Sequence, residues 1–209
     1  MVIKIESCIK KFGGICVLDD INLMLSSGHI YGIVGLNGSG KTMLLRMIAG
    51  LIKPTSGKVC IDGKQLHKDI SFPSDMGIII EKPEMLNHLT GLENLKFLSE
   101  INGIVSQDKI ISYMEMFGLD PKDKKPMKKY SLGMKQKIGI IQAIMENQQL
   151  LVLDEPFNAL DEKTVKLVHE LLLKYREEGR LIIITSHYRI DIESLCDEII
   201  RLEEGKIIK

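Results

Sequence analysis

Short apolar runs recur along the chain and set the first expectations about its fold. Six of them predict β-strands, at residues 2–5, 29–34, 58–61, 76–80, 150–153 and 181–185. The runs at 150–153 and 181–185 are continuously apolar, with little alternation between apolar and polar positions. Such runs are typical of strands that are buried on both faces of a parallel sheet. The pattern therefore predicts a parallel sheet with structure packed on both of its sides.

Two segments between these runs repeat their apolar residues with helical spacing. Residues 42–50 place four apolar side chains on one face, and Gly50 is expected to end this helix. Residues 161–178 form a second apolar stripe, with Asp161 as the expected N-cap and Gly179 as the expected C-terminal stop. Strands that alternate with helices in this way predict an α/β fold.

The remaining segments complete the predicted organisation. Residues 83–146 have a mostly helical pattern and are expected to form a subdomain inserted into the core. Residues 199–208 read as a β-hairpin that turns at Glu204 and Gly205. No composition shift or long linker divides the chain, so we expect one domain over residues 1–209.

Composition narrows the class of protein. The 28 Lys and Arg residues balance the 28 Asp and Glu residues, and the formal net charge is +0. Proteins that bind nucleic acid usually carry a basic excess or a basic stripe, so no nucleic-acid partner is expected. The lysine run at residues 122–129 is interpreted as a solvated loop. The four cysteines lack the spacing of a zinc site, and we interpret them as reduced thiols of a cytoplasmic protein.

Membrane insertion is not expected of this chain. The N-terminus lacks an apolar core of signal-peptide length. The longest apolar runs are far shorter than the roughly 20 residues that a membrane-spanning helix needs. Any role at a membrane is therefore expected to depend on a partner protein.

The clearest chemical motif spans residues 35–42 and reads G-L-N-G-S-G-K-T. It follows an apolar strand and opens a helix, which is the context that a phosphate-binding loop requires. Its glycines allow backbone N–H groups to wrap a phosphate chain at a helix N-terminus. Lys41 is expected to reach the β- and γ-phosphates, and the Thr42 hydroxyl is expected to bind Mg²⁺. The motif predicts a nucleoside triphosphate site.

A pair of carboxylates follows the buried strand at residues 150–153. Ligands of open α/β sheets bind at the carboxyl ends of the strands, where Asp154 and Glu155 lie. Asp154 is suited to a direct or water-mediated Mg²⁺ contact, and Glu155 is suited to act as general base for an attacking water.

Two further polar positions are less specific on their own. Ser131 stands at the expected N-cap of a helix, which by itself indicates a capped helix. His187 follows the strand at residues 181–185 and could donate a hydrogen bond to a γ-phosphate, although a single histidine after a strand is usually structural.

Taken together and in this order, these elements resemble the ABC ATPase family over the whole chain. Residues 35–42 match the Walker A motif and residues 150–155 match Walker B. Residues 131–136 resemble the family signature LSGGQ, residues 158–161 resemble the D-loop, and His187 resembles the switch histidine. Phe12 aligns with the aromatic residue that stacks on adenine. The resemblance implies a P-loop NTPase core with a mostly parallel sheet, an N-terminal antiparallel β subdomain and an inserted helical subdomain.

The resemblance also implies roles for individual residues. ATP is expected to contact Phe12, Gly35, Leu36, Asn37, Gly38, Ser39, Gly40, Lys41, Thr42 and Met43 of one chain and Ser131 and Gly133 of a second. Lys41, Glu155 and His187 are the expected catalytic residues. Thr42, Glu81 and Asp154 are the expected Mg²⁺ ligands.

Two departures from the common family pattern stand out. The signature has Tyr130, Leu132 and Met134 where Leu, Gly and Gln are usual, while Ser131 and Gly133 are kept. This variant resembles cassettes of drug and antibiotic-peptide exporters. Glu81 stands where most cassettes carry the glutamine of the Q-loop, as in the bacitracin-resistance type. Glutamate can bind Mg²⁺ but cannot donate the amide hydrogen bond, so its role in hydrolysis or in coupling stays open.

The resemblance implies an ATPase that dimerises around ATP and powers a separate integral membrane permease at the cytoplasmic face of the membrane. The signature variant and the short C-terminal tail favour an exporter. The interval between Walker A and the signature is too short for the coiled coils of DNA-repair members, and translation-associated members carry two cassettes. A non-hydrolysing regulatory cassette is the remaining alternative. Such cassettes typically lose the base, the switch histidine or the signature serine, whereas Glu155, His187 and Ser131 are all present.

Overall fold

Two β-sheets organise the chain, which is seen here in a computed structural model that describes residues 1–81, 84–186 and 189–208. The first sheet is antiparallel and has the strand order β2-β1-β4-β5. Its strands are β1 (Val2–Phe12), β2 (Ile15–Ser26), β4 (Ser56–Ile61) and β5 (Lys64–Gln65). This sheet is the antiparallel subdomain that the resemblance implied.

The second sheet is mostly parallel and has the strand order β10-β9-β3-β8-β7-β6. Its strands are β3 (His29–Val34), β6 (Met76–Ile79), β7 (Leu150–Leu153), β8 (Leu181–Thr185), β9 (Glu198–Glu203) and β10 (Lys206–Ile208). Only the hairpin pair β9–β10 is antiparallel among these described strands. The predicted α/β fold with a mostly parallel sheet is confirmed.

Helices lie between the strands and supply the other layers. They are α1 (Lys41–Ile48), α2 (Gly91–Asn102), α3 (Gln107–Met116), α4 (Leu132–Ile144), α5 (Glu162–Glu177) and α6 (Arg189–Leu195), with a short 3-10 turn at Met127–Lys129. Helices α2, α3 and α4 all fall between β6 and β7 and contact one another. Among the described residues, no helix combines the length and apolar character needed to cross a bilayer.

The central strands are buried on both faces, as their continuous apolar runs predict. In β8, Ile182 and Ile184 belong to a core shared with α4 and α5, whereas Leu181 and Ile183 belong to a core shared with α1 and the antiparallel sheet. Burying large aliphatic side chains stabilises the fold by about 1.5–3 kcal/mol for each. The two cores therefore hold the parallel sheet firmly and fix the position of its carboxyl edge.

The N-terminal strands differ most from their prediction. Strand β1 runs to Phe12 rather than ending at residue 5, and β2 was not predicted at all. The reason lies in the bulges of this sheet. The register of β1 against β2 shifts after Ile5, and Ser7 and Asp20 adopt positive φ angles of 46° and 51°. A bulge changes which face the following side chains occupy, so the simple alternation expected of a strand is lost.

Several predicted ends agree with the structure to within two residues. Helix α1 ends at Ile48, and Gly50 follows its C-cap with a φ of 75°, the left-handed conformation that stops a helix. Asp161 is the N-cap of α5, and one of its carboxylate oxygens accepts a hydrogen bond from the Thr164 N–H at 2.8 Å. The turn between β9 and β10 falls at Glu204 and Gly205 as predicted.

Candidate functional site

The N-terminus of α1 differs from the other long helices in how it begins. Helices α2, α3, α4 and α5 have side-chain caps, supplied by Thr90, Ser106, Ser131 and Asp161 respectively. Helix α1 has Gly40 at its N-cap position, with a φ of 106° and no side-chain cap. A Cβ on Gly40 would also stand 2.9 Å from the Val17 carbonyl oxygen. The first N–H groups of α1 therefore point at an open loop, which is a favourable place for an anion.

Lys41 folds back over the same loop. Its side chain is buried, and its ammonium group donates hydrogen bonds to the carbonyl oxygens of Gly35 at 2.7 Å and Leu36 at 3.2 Å. A buried ammonium is costly unless it is paired, and both of these partners are uncharged. The residues of the loop thus fit a phosphate chain, because an anion there would meet a cation and a helix N-terminus together.

A chain of hydrogen bonds joins α1 to the ends of β7 and β8. The Thr42 hydroxyl donates to one Asp154 carboxylate oxygen at 2.8 Å, and the Thr185 hydroxyl donates to the other at 2.6 Å. The Glu155 N–H in turn donates to the Thr185 hydroxyl oxygen at 2.9 Å. Asp154 and Thr185 are both buried. The strands hold these groups together because they are parallel neighbours and end at the same edge of the sheet.

The donor set at this edge fits Mg²⁺. The Thr42 hydroxyl oxygen and the Asp154 carboxylate are hard oxygen ligands, and their hydrogen bond of 2.8 Å shows that they already converge. Mg²⁺ commonly binds through one or two protein oxygens, with phosphate oxygens and waters completing its shell. The neighbouring loop is where those phosphate oxygens would lie.

The residues around this edge line one cleft of about 360 Å³. The predicted site residues that line it are Asn37, Gly38, Gly40, Lys41, Thr42, Met43, Asp154 and Glu155. Val17 of β2 lines the cleft as well and was not predicted. Leu36 and Ser39 lie on a neighbouring groove that shares Asn37 and Gly38 with this cleft. Gly35 contributes through its carbonyl group, which accepts from Lys41.

Two of the other predicted residues, Glu81 and Phe12, are not among the described residues that line this cleft. Glu81 follows β6, with its carboxylate 2.9 Å from an Nη atom of Arg46 on α1. Phe12 ends β1 at the tip of the β1–β2 hairpin, where its ring is half exposed and lies 4.6 Å from the Lys10 ammonium. His187, the expected switch histidine, lies outside the described residues.

The predicted signature residues lie on a different surface from the cleft. Ser131 is exposed at the N-cap of α4, and its hydroxyl oxygen accepts from the Met134 N–H at 3.2 Å. A Cβ on Gly133 would stand 2.5 Å from the Ala159 carbonyl oxygen, so only glycine allows α4 to approach this loop so closely. Neither Ser131 nor Gly133 is among the described residues that line the cleft.

The loop between β7 and α5 connects these two surfaces. Its Asp161 forms an ion pair with Lys137 of α4 at 3.3 Å. Hydrogen bonds from the Thr164 N–H and hydroxyl, with a smaller contribution from Lys137, lower the pKa of Asp161 to about 2. The Asp161 carboxylate therefore stays ionised at any ordinary pH, where it caps α5 and pairs with Lys137 of α4.

Two polar residues of the site were missed by the sequence analysis. Thr185 is the polar last residue of the apolar strand β8, a signal that could have marked it as a residue of the carboxyl edge of the sheet. Gln136 is buried on α4, and its amide donates to the carbonyl oxygens of Glu155 at 3.3 Å and Pro156 at 3.0 Å. Its contact depends on how α4 packs, which the local pattern does not reveal.

Comparison with known proteins agrees with this geometry. A family model described as ABC transporter matches residues 18–158, which include the phosphate-binding loop, α4 and the carboxylates that follow β7. The chain belongs to the ABC transporter family.

Individual relatives place the chain more closely within that family. It is 47% identical over 206 residues to the ABC transporter ATP-binding protein YybJ of Bacillus subtilis, covering 99% of this chain and 94% of that protein. It is 39% identical to the bacitracin transport ATP-binding protein BcrA of Enterococcus faecalis, covering 100% of this chain and 68% of that protein.

A solved structure of the ATP-binding cassette MJ0796, a dimer in a post-hydrolysis state bound to ADP and Pi, matches with a TM-score of 0.86 and 26% identity. The match covers 99% of this chain and 97% of that one. This chain is an ATP-binding subunit of an ABC transporter.

Proposed function

We propose that this subunit hydrolyses ATP, that two copies close around the nucleotide, and that the pair powers a separate permease which exports its cargo. The observation that carries the proposal is the hydrogen-bonded chain from Thr42 through Asp154 and Thr185 to Glu155, placed beside the uncapped start of α1. It brings a metal-binding pair, a cation and a candidate base to one cleft. The subunit would then act at the cytoplasmic face of the membrane.

Different residues of one copy would bind the phosphate chain, hold the metal ion and activate the attacking water. Lys41 and the first N–H groups of α1 bind the phosphate chain, while Thr42 and Asp154 would hold Mg²⁺. Bound Mg²⁺ would neutralise charge on the phosphate oxygens. Glu155 would orient the attacking water and accept its proton. Glu81 is proposed as a further metal contact from the end of β6, reached when its carboxylate leaves Arg46.

A second copy would complete the site. The cleft as formed by the described residues of one chain does not include Ser131 or Gly133, although both stand at the N-terminus of a helix, which favours anions. We propose that this end of α4 closes over the γ-phosphate bound by the other copy. The contact would be isologous, so both copies contribute both surfaces. The dimeric state of the matched cassette supports this arrangement.

Glu155→Gln tests the hydrolysis step. The variant should keep ATP affinity within about threefold, because Lys41 and the loop N–H groups are untouched, but phosphate release should fall by about 100-fold or more. It should also accumulate dimers in Mg-ATP, measured by light scattering, whereas the nucleotide-free chain should be mainly monomeric. A wild-type subunit that binds ATP and releases no phosphate would instead support a non-hydrolysing regulatory cassette.

The proposed permease contact lies beside Glu81. A groove of about 230 Å³ between the catalytic core and the helical subdomain is lined by Leu51, Ile78, Ile79, Ile80, Glu84, Gly139 and Gln142. The Leu51 side chain is half exposed there. The groove includes Ile80, the residue directly before Glu81. A change in the Glu81–Arg46 ion pair when nucleotide binds would therefore alter the position of a permease segment bound in this groove. The bacitracin transport role in the name of one relative supports antibiotic-type cargo.

Glu81→Ala tests this coupling. ATP affinity should stay within about tenfold, because Thr42 and Asp154 still hold the metal. The ATP turnover of the isolated subunit should fall less than transport by the complete transporter in reconstituted vesicles. Equal falls in both activities would make Glu81 a catalytic ligand only and would contradict the coupling role.

A further inference from the structure

The backbone of Glu155 adopts a conformation that needs support. Its φ is 50°, in the left-handed region that residues with a side chain rarely occupy. Both of its peptide groups are held by side chains from other elements. Its N–H donates to the Thr185 hydroxyl oxygen at 2.9 Å, and its carbonyl oxygen accepts from the Gln136 amide at 3.3 Å.

Gln136 is well suited to this task. Its amide carries two N–H donors and points them at two successive carbonyl groups, those of Glu155 and Pro156. The side chain is 6% exposed, so water cannot readily replace it. Without this amide, the Pro156 carbonyl group would lose this donor in a buried place, and the Glu155 carbonyl group would keep the Asn158 N–H of its own loop at 3.3 Å but lose its link to α4. The backbone of the loop would then be free to rearrange.

Gln136 also belongs to the helix that begins at Ser131. Two further contacts bind α4 to the same loop: Gly133 lies against the Ala159 carbonyl group, and Lys137 pairs with Asp161 at 3.3 Å. The N-terminal half of α4 therefore contacts the loop that carries Glu155 at three positions along the helix.

We propose that Gln136 is a positioning residue for Glu155. Its amide fixes the backbone from which the carboxylate reaches its water, so a nucleotide of the second copy that contacts α4 also sets the geometry of the base in the first copy. This inference rests on the proposed hydrolytic function. Catalytic groups displaced by about 1 Å can lose roughly 100-fold in rate, so the amide is expected to affect turnover more than binding.

The test is Gln136→Met, which keeps the approximate shape of the side chain and removes its donors. We expect kcat for ATP to fall at least about tenfold while the Kd for ATP stays within about threefold. ATP-held dimers should accumulate in Mg-ATP, as for Glu155→Gln, because Ser131 is unchanged. Gln136→His places a ring N–H at a similar reach and should recover most of the lost turnover. If Gln136→Met fails to fold by circular dichroism, Gln136→Glu, which has the same shape and no donor when ionised, replaces it.

Gln148→Met is the matched control. Gln148 is equally buried at 6% and lies at the other end of β7 from Asp154, so its loss should leave kcat within about threefold. The proposal is overturned if both methionine variants lower kcat alike, if kcat and affinity fall together in Gln136→Met, or if a folded Gln136→His is no better than Gln136→Met. A wild type without phosphate release, or an active Glu155→Gln, would instead overturn the proposed function itself.

Discussion

The N-termini of α1 and α4 carry the two halves of the proposed site, and they are built differently. Helix α1 starts at the buried Lys41, directly after Gly40 in the sequence, and has no side-chain cap. Helix α4 starts directly after the exposed Ser131, whose hydroxyl oxygen accepts a hydrogen bond from the Met134 N–H at 3.2 Å. The first turn of α1 therefore has no side-chain acceptor for its N–H groups, whereas the first turn of α4 has one within the chain.

This difference predicts that ATP binding and the proposed closure of two copies depend on different residues. An unsatisfied helix start with a buried cation favours an anion strongly, so nucleotide binding should be a property of the single chain. A helix start that is already capped gains less from an anion, and its contribution should matter only when a second copy approaches. The two functions should consequently be separable by mutation.

The largest effect is expected for Lys41→Ala. Removing the only cation that the structure shows among the described lining residues of the cleft should weaken ATP binding by about 100-fold, because charge-assisted hydrogen bonds to phosphate are strong. Calorimetry with Mg-ATP measures the Kd. Lys135→Ala, on the first turns of α4, is the control and should leave the Kd of the monomer unchanged. A loss of affinity smaller than about threefold for Lys41→Ala would show that Lys41 does not bind the phosphate chain.

A smaller and more selective effect is expected for Ser131→Ala. The monomer should bind ATP as the wild type does, while the ATP-held dimer should weaken by about tenfold or more through loss of a hydroxyl contact at each site. The lost cap should also cost about 1 kcal/mol of folding stability. Ser106→Ala removes the equivalent cap of α3, in which Ser106 accepts from the Lys109 N–H, and should cost the same stability without changing the dimer. If the two serine variants dimerise equally well, closure does not involve α4.

The same contrast explains how much the sequence could predict. The loop before α1 carries its chemistry in its own residues, so the roles proposed for Lys41 and Thr42 follow from the motif alone. The bounds of β3, β7 and β8 were predicted correctly. For β7 and β8 the reason is that burial on both faces leaves a nearly continuous apolar run. At α4 the local pattern indicated a capped helix and nothing more, and the role expected of Ser131 came from family resemblance.

What the sequence did not reveal depends on packing between distant segments. Thr185 meets Asp154 because β8 is the neighbour of β7, an order that no local pattern states. Gln136 reaches the loop after β7 because Gly133 allows α4 to approach it closely. Strand β2 was missed because bulges interrupt its alternation. The ion pair of Glu81 with Arg46 likewise joins residues that are far apart in the chain.

The smallest effect concerns the loop that joins the two halves. Phe157 in this loop packs edge-on against His169 of α5, with ring centroids 4.8 Å apart. Burial lowers the pKa of His169 below 6.5, and Asp191 nearby opposes this shift only in part. The folded protein therefore resists protonation of His169, so stability is full above the unfolded pKa of 6.5 and declines as the pH falls below it.

Thermal unfolding checks this pH dependence. Between about pH 7.5 and about pH 5.5, the Tm of the wild type should fall by more than that of His169→Gln, which cannot be protonated. Equal falls in the two proteins would show that protonation of His169 does not contribute to the acid sensitivity of the fold.

We expect one chain to bind the nucleotide and another chain to complete its site, and a mixture of two variants distinguishes this arrangement from a site formed within one chain. Lys41→Ala and Ser131→Ala should each release little phosphate alone. A mixed dimer contains one intact site, formed by Lys41 of one chain and Ser131 of the other. An equal mixture should recover up to about a quarter of wild-type turnover if copies pair at random and each intact site works independently. A mixture no more active than the mean of the two variants would contradict a site shared between two chains.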